Sequence, residues 1–340
     1  MKKVLFSELK LKMITLLLLQ TAGILAGSAA AFFLAGNLLA EKSQDNSIGV
    51  RGGGYNFISP LIMCSADDNP AAAKEPGRLK SDVKKTVEMI TSGRQADSLA
   101  VYFREYKTGK WFVIGGDEKF HPASIMKVTT LAAVLKDAEA DPSLMKMKIK
   151  DNLEQDQASV QDPKPSVALE KGKEYTVEEL LYRMIVYSDN NAGALLEGVP
   201  SVKTLQNTYN ELMVPNPYLP KAEDYASVKD VSHIFRVLYD STFLDRERSE
   251  KALMTLSRTD FKGGIRGGTP EDIVVAHKFG DWKYGENKEK RQLHDCGIVY
   301  YPGSPYLLCI MSKGKSFEEL DAAIEKISAV VFNGIKAGKT

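Results

Sequence analysis

The sequence predicts an α+β fold: an antiparallel five-stranded sheet flanked by helices, an all-helical subdomain beside it, and one transmembrane helix in front. Three features of the 340 residues carry this reading. Two strand-like runs precede a long series of helical patterns and three more follow it, the order expected when distant parts of a chain close one sheet. An amphipathic helical pattern stands before the first of those strands and another after the last. Residues 13–40 contain no charged side chain, a run longer than the roughly 20 residues needed to cross a bilayer.

The chain opens on a basic flank, residues 1–12, with Lys2, Lys3, Lys10 and Lys12. Residues 13–40 read as a signal anchor. A positive flank stays in the cytoplasm, so everything after Glu41 is expected outside a cell membrane that the chain crosses once. The alternative is an export signal cut near the small residues 27–31. Residues 41–78 form a linker with one short strand. Arg51-Gly52-Gly53-Gly54 and Asp67-Asp68-Asn69-Pro70 punctuate it, and the apolar Phe57-Ile58-Ser59-Pro60-Leu61-Ile62-Met63 has the composition of a segment that docks on the domain.

The domain itself is residues 79–340. Leu79, Val83, Val87 and Ile90 share one face of a helix over 79–92. Residues 99–106 and 111–114 are strands joined by the turn Lys107-Thr108-Gly109-Lys110, a hairpin. A buried helix follows, opened by Pro122, and then a polar region, 146–173, with little periodicity. Thr176 caps the next helix and Glu179 completes a capping box. Its apolar residues Leu180, Leu181, Met184, Ile185 and Val186 lead into Tyr187-Ser188-Asp189-Asn190. Helices are expected at 202–212, 228–239 and 249–256. The period then changes to strands at 273–279, 294–301 and 306–311, the last two joined by Pro302-Gly303-Ser304-Pro305, before a closing helix over 317–335.

Charge is balanced, 45 Lys and Arg against 44 Asp and Glu, so nucleic acid is not an implied partner. The lysine-rich stretch 283–291 reads as a solvated loop. Cys64, Cys296 and Cys309 are too few for a disulfide framework. If Tyr301 and Tyr306 flank the last hairpin loop, Cys296 and Cys309 sit diagonally, which argues against a bond between them. His121, His233, His277 and His294 lack ligand spacing, so neither metal nor cofactor is expected.

The stretch His121-Pro122-Ala123-Ser124-Ile125-Met126-Lys127 carries the chemistry. Ser124 falls in a first helical turn, where an unpaired backbone N–H and a positive dipole favour an oxyanion. Lys127 follows at i+3, on the same face. A desolvated amine there can take the hydroxyl proton and make the serine a nucleophile. The Ser-x-x-Lys pattern is loose, and Ser81/Lys84, Ser143/Lys146 and Ser312/Lys315 also satisfy it.

Order supplies the specificity. Ser124-Ile125-Met126-Lys127, Ser188-Asp189-Asn190 and Lys278-Phe279-Gly280 stand in sequence, and from about Leu79 onward the chain resembles the class A β-lactamases within the β-lactamase and penicillin-binding protein superfamily. Lys107-Thr108-Gly109, ahead of Ser124, is a decoy in a turn. The resemblance implies an acyl-serine at Ser124, Lys127 moving its proton, and Ser188 relaying a proton to the leaving nitrogen. It makes Asn190, Lys278 and Gly280 substrate-binding, with the backbone N–H groups of Ser124 and Asp281 as the oxyanion hole. Asp189 is expected to be a structural hydrogen-bonder.

Two departures bear on activity. Phe279 replaces a threonine hydroxyl, and Asp281 adds negative charge where the family has a small residue, so penicillin-like carboxylates are expected to bind poorly. The family's loop glutamate, which positions the deacylating water, and its asparagine are not found as a pair between Ser188 and Asp224, which leaves Glu211 and Glu223 each as a candidate for the deacylating base. Glu211 and Glu223 are the nearby carboxylates, and neither has the asparagine four residues on. The resemblance therefore implies a membrane-anchored hydrolase of β-lactams. A cell-wall peptidase or transpeptidase with slow deacylation is the alternative within the enzyme class, and a non-hydrolytic binding or sensor module is the alternative outside it.

Overall fold

The computed structural model describes residues 49–50, 54–62, 76–159, 161–219 and 223–338. The expected transmembrane segment 13–40 and Cys64 lie outside these. Among the described residues no helix is long and apolar enough to cross a membrane. In the linker, β1 (Gly49–Val50) pairs with β2 (Leu61–Ile62) in a two-residue ladder.

The domain begins with α1 (Gly77–Ser92), β3 (Ser98–Glu105) and β4 (Trp111–Ile114). A short 3₁₀ turn, Ala123–Met126, runs into α2 (Lys127–Ala140). Next come a small ladder of β5 (Lys148–Lys150) and β6 (Glu174–Thr176), then α3 (Val177–Val186), α4 (Asn190–Leu196) and α5 (Val202–Glu211). The helices α6 (Val228–Asp240), α7 (Arg246–Leu256) and the single turn α8 (Gly264–Gly267) follow. The chain ends with β7 (Val275–Tyr284), β8 (Lys290–Val299), β9 (Tyr306–Gly314) and α9 (Phe317–Lys336).

These strands form the expected five-stranded antiparallel sheet in the order β4-β3-β9-β8-β7. Period-two alternation sends its side chains into two cores. On one face Val101, Phe103, Leu308 and Ile310 pack with Leu79 and Val83 of α1 and Ile324 and Ile327 of α9. On the other, Ala100, Cys296, Cys309 and Met311 join the helical layer through Ile125, Val128, Leu131, Leu180, Ile234 and Phe235. This topology leaves β7 as an edge strand beside the 3₁₀ turn, the geometry that builds a cleft.

Local signals are realised as read. Thr176 and Glu179 form a reciprocal capping box, with Glu179 N–H donating to Thr176 Oγ1 (3.2 Å) and Thr176 N–H donating to Glu179 Oε2 (2.7 Å). Glu250 of the domain accepts three backbone N–H bonds from Asn56, Phe57 and Ile58 at 2.6, 2.8 and 3.0 Å and Ile58 is buried, so the first residues of the apolar stretch meet the domain.

The last hairpins differ from expectation. β7 and β8 extend to Tyr284 and from Lys290, so the stretch read as a solvated loop is an exposed tip over 285–289 with strand only at its two ends. Arg291 at its end pairs with Asp281 of the facing strand, an interaction that an apolar-periodicity argument does not weigh. The register of the following hairpin sets Val299 opposite Tyr306, because Tyr300 and Tyr301 leave the ladder to pack on Phe57 and Phe332. Cys296 then lies directly opposite Cys309, and the two sulfurs are bonded. The diagonal placement was wrong by the register of that loop.

Candidate active site

The nucleophile candidate directly follows a residue held in the left-handed region of the backbone map. Ser124 occupies the 3₁₀ turn and Lys127 opens α2, so the serine precedes the α-helix rather than lying in its first turn. Ala123, immediately before it, has φ 50°, and Ser188 has φ 54°. Side chains with a Cβ rarely adopt this left-handed region without support from their surroundings. At Ser188 the support is visible. Its carbonyl oxygen accepts from Lys127 Nζ (2.6 Å) and from Gln161 Nε2 (2.9 Å), and its hydroxyl accepts from Lys278 Nζ (2.8 Å).

Four of the residues expected at the site thus converge on one point. Lys127 Nζ also donates to Asn190 Oδ1 at 2.6 Å and reaches Ser188 Oγ at 3.5 Å. Lys278 is fully buried and donates additionally to Phe279 O (3.1 Å). Asp189 caps α4 through Asn191 N–H (2.8 Å) and Ala192 N–H (3.2 Å), the structural work expected of it. Gly280 brings the edge strand against the 3₁₀ turn. A β-carbon at this position would lie 2.9 Å from Pro122 O and 3.1 Å from Ser124 N, so only glycine permits this approach. The approach sets the peptide N–H groups of Ser124 and of Asp281, the residue after Gly280, on neighbouring backbones.

Burial dominates the electrostatics. It lowers the Lys127 ammonium to about 7, with the Asp189 charge working against the shift. It drives Lys278 well below its ordinary value, helped by the neighbouring Lys127 charge and opposed by Asp295. Two amines facing one hydroxyl titrate as a pair, and removing water from both favours their neutral forms. A neutral amine beside a serine turn is what proton abstraction needs.

The two departures look different in three dimensions. Phe279 turns to the α1/α9 face, its ring 4.4 Å from Phe261 and 4.3 Å from Lys278 Nζ. Asp281 is not a bare negative charge. Arg291 forks it through Nε (2.6 Å) and Nη2 (3.0 Å), opposing the rise that burial imposes on its carboxyl. Among the described residues, neither candidate carboxylate is hydrogen-bonded to Lys127 or Ser188. Glu211 is exposed at the end of α5, and Glu223 accepts from Trp282 Nε1 at 2.9 Å.

Gln161 was not legible beforehand. Its Nε2 holds Ser188 O, and its Oε1 accepts from Asn190 N–H (3.0 Å), so one side chain braces the whole Ser-Asp-Asn loop. It lies in the aperiodic region between β5 and β6, where no sequence signal marked it. His121 is a second such residue. It stacks on Trp282 at 3.9 Å and its Nδ1 accepts from Ala123 N–H, lining the turn that carries Ser124. Among the described residues no three His, Cys, Asp or Glu side chains group as metal ligands would.

A serine on a strained turn, two buried lysines and an edge-strand glycine define an active-serine hydrolase, and comparison with known proteins agrees. The chain belongs to the beta-lactamase enzyme family, whose model matches residues 78–335. A beta-lactamase of Streptomyces albus G is 28% identical over 233 residues, covering 63% of this chain and 72% of the relative. A class A beta-lactamase from Bacteroides cellulosilyticus superposes with a TM-score of 0.64 at 17% identity, covering 78% of this chain and 99% of its own. A mutant of PBP-A, solved as an acyl-enzyme complex with penicillin G, superposes with a TM-score of 0.63 at 18% identity, covering 76% and 97%. At such identities the two structures speak for the fold alone.

Proposed function

We propose that residues 79–340 form an exported domain that acylates Ser124 with the carbonyl of a β-lactam or a related amide. The convergence of Lys127, Lys278 and Asn190 around Ser188, beside the Ser124 turn, carries this reading. A neutral Lys127 has two N–H bonds and one lone pair. Ser188 O and Asn190 Oδ1 take the two N–H bonds, leaving the lone pair for the Ser124 hydroxyl proton. The alkoxide then attacks the carbonyl carbon, and the carbonyl oxygen becomes an oxyanion received by the N–H groups of Ser124 and Asp281. Collapse breaks the C–N bond. Ser188, held by Lys278, gives its hydroxyl proton to the departing nitrogen and regains one from the Lys127 ammonium, which returns to its neutral form, while Asn190, its Oδ1 committed to Lys127, keeps its N–H₂ for a substrate carbonyl. The basic flank and the uncharged run 13–40 support an anchor in the cell membrane, with the linker 41–78 between anchor and domain.

Intact-protein mass after adding penicillin G to the soluble domain tests the reading. A covalent adduct is expected on the wild type and none on Ser124→Ala, which should fold within about 0.5 kcal/mol of the wild type because it removes one partly exposed hydroxyl. Absence of any Ser124-dependent adduct with β-lactam, ester or acyl phosphonate probes would refute it.

A second reading, a penicillin-binding type of enzyme acting on cell-wall peptides, is favoured by the engagement of Glu223 with Trp282 and the exposure of Glu211. Losing a general base typically slows a step ~10²–10⁴-fold. On this reading the adduct persists for hours, whereas continuous turnover of a chromogenic cephalosporin would mark a working β-lactamase.

A further inference from the structure

The Ser-Asp-Asn segment is held from outside by a side chain that none of the acylation steps above uses. Gln161 donates through Nε2 to Ser188 O (2.9 Å) and to Pro163 O (3.1 Å), and its Oε1 accepts from Asn190 N–H (3.0 Å). Ser188 O and Asn190 N–H belong to the two peptide groups on either side of Asp189. One primary amide therefore clamps both. It fits only one way round, since turning it over would set N–H against N–H and oxygen against oxygen. The Asp189 carboxylate pins the same segment from within, through Asn191 N–H and Ala192 N–H. Asn191 in turn ties down the start of the Gln161 loop: its Oδ1 accepts from Gln157 N–H (2.7 Å) and its Nδ2 donates to Asp156 Oδ1 (2.8 Å).

The clamp bears on Lys127. Both acceptors of its amine, Ser188 O and Asn190 Oδ1, lie on the clamped segment, each at 2.6 Å. Ser188 O is shared between two donors, one lone pair meeting Lys127 Nζ and the other Gln161 Nε2. Ser188 holds φ 54°, a conformation that persists only while its neighbours over-determine it. If the peptide between Ser188 and Asp189 turns, Lys127 loses an acceptor and its lone pair has no fixed direction toward the Ser124 turn. The charged side chains that act on Lys127 are Asp189 and Lys278. Gln161 adds no charge of its own, so it works by direction.

We propose that Gln161 is a positioning residue of the acylation step, clamping the peptides on either side of Asp189 so that both acceptors of Lys127 stay in place. This role rests on the reading of Ser124 as nucleophile and of Lys127 as its base. Gln161 touches no reacting atom, and its influence runs through Ser188 O in two ways. It fixes the direction of that carbonyl and so the alignment of Lys127, and misplacement of a reacting group by about 1 Å costs up to about hundredfold in rate. Its N–H also competes with Lys127 for the oxygen. Without it the whole acceptor serves the Lys127 ammonium, and a hydrogen bond to the charged form favours that form.

Gln161→Leu and Gln161→Met keep the bulk of the side chain and remove all three bonds. In the full chain, the first-order acylation constant at saturating penicillin G, taken on the alkaline plateau, should fall about ten- to hundredfold in both. The pH midpoint of acylation should rise by about half to one pH unit, the effect of one redirected hydrogen bond. Asp156→Ala breaks the loop's tie to Asn191 without touching Ser188 O, and should leave the rate within about twofold and the midpoint in place. A rate within about twofold of the wild type in both Gln161 variants would overturn the proposal. So would a loss of rate with the midpoint unmoved or lowered, or an equal loss in Asp156→Ala, which would assign the effect to the loop as a whole. If penicillin G acylates neither the wild type nor any variant, the Ser124 reading fails, and the NMR titration of the Lys127 Cε resonance, assigned by its absence in Lys127→Met, decides this one. Its midpoint should rise by the same amount in both Gln161 variants, and an unmoved or lower midpoint would again overturn the proposal.

Discussion

The pH dependence of acylation tests the proposed chemistry most directly, because it reads the protonation of the coupled buried amines, Lys127 foremost. Lys127 must be neutral to accept the Ser124 proton. Burial lowers its ammonium from an ordinary value near 10.4 to about 7. Half the enzyme is then competent at about pH 7, about nine tenths at pH 8 and about one hundredth at pH 5. The second-order acylation constant, measured by quenched intact mass with penicillin G, should fall about hundredfold from its alkaline plateau to pH 5, with a slope approaching one. Burial also lowers the His121 imidazole below its ordinary value, so His121→Gln serves as the control and should leave the midpoint in place. A flat profile between pH 5 and 8, or a midpoint that vanishes in His121→Gln, would refute the assignment. The same group has a folding signature of fixed sign. A lysine whose folded value is depressed binds fewer protons than the unfolded chain between about pH 7 and 10.4, so stability rises with pH across that window. Lys278, depressed by the same burial, adds to this slope. Lys127→Met should reduce it in urea titrations at pH 7 and 9.

Three further outcomes follow from packing and burial. Gly280→Ala puts a β-carbon against Pro122 O and Ser124 N, both backbone atoms that cannot rotate away; a loss of about 1–3 kcal/mol in denaturant melts and at least a tenfold loss of acylation are expected. Cys296→Ser, with its partner 13 residues away, should cost about 3 kcal/mol, and a wild type whose urea midpoint does not move under reductant would show that the bond contributes nothing. His294 is buried, with Nε2 donating to His121 O and Nδ1 accepting from Ser312 N–H, and burial lowers it to about 3. Its neutral form is the folded form, so its contribution is complete above about pH 6.5 and is lost as pH falls toward 3; equilibrium unfolding of His294→Gln should show a shallower acid slope than the wild type.

Much of this domain was legible because its signals are short-range. The capping box at Thr176 and Glu179, the helical faces of α1 and α9, and the early and late strand runs each depend on residues within a few positions of one another. The strand ends were not, because β7 and β8 continue past the apolar core on paired charges rather than on alternating hydrophobicity. The role of Gln161 was hidden for a related reason. It bonds to residues 27 and 29 positions away from a stretch with no period of its own.

The sequence by itself determined the class of fold, the order of its elements and the spacing of Ser124 and Lys127, since these rest on backbone propensity and on helical or strand periodicity. Only the tertiary structure decided the register that joins Cys296 to Cys309, the turning of Phe279 onto Phe261 and the pairing of Asp281 with Arg291. Each of those depends on which face of an edge strand meets which loop. A single-residue slip of register moves every side chain to the opposite face, and no local preference along the chain fixes that choice.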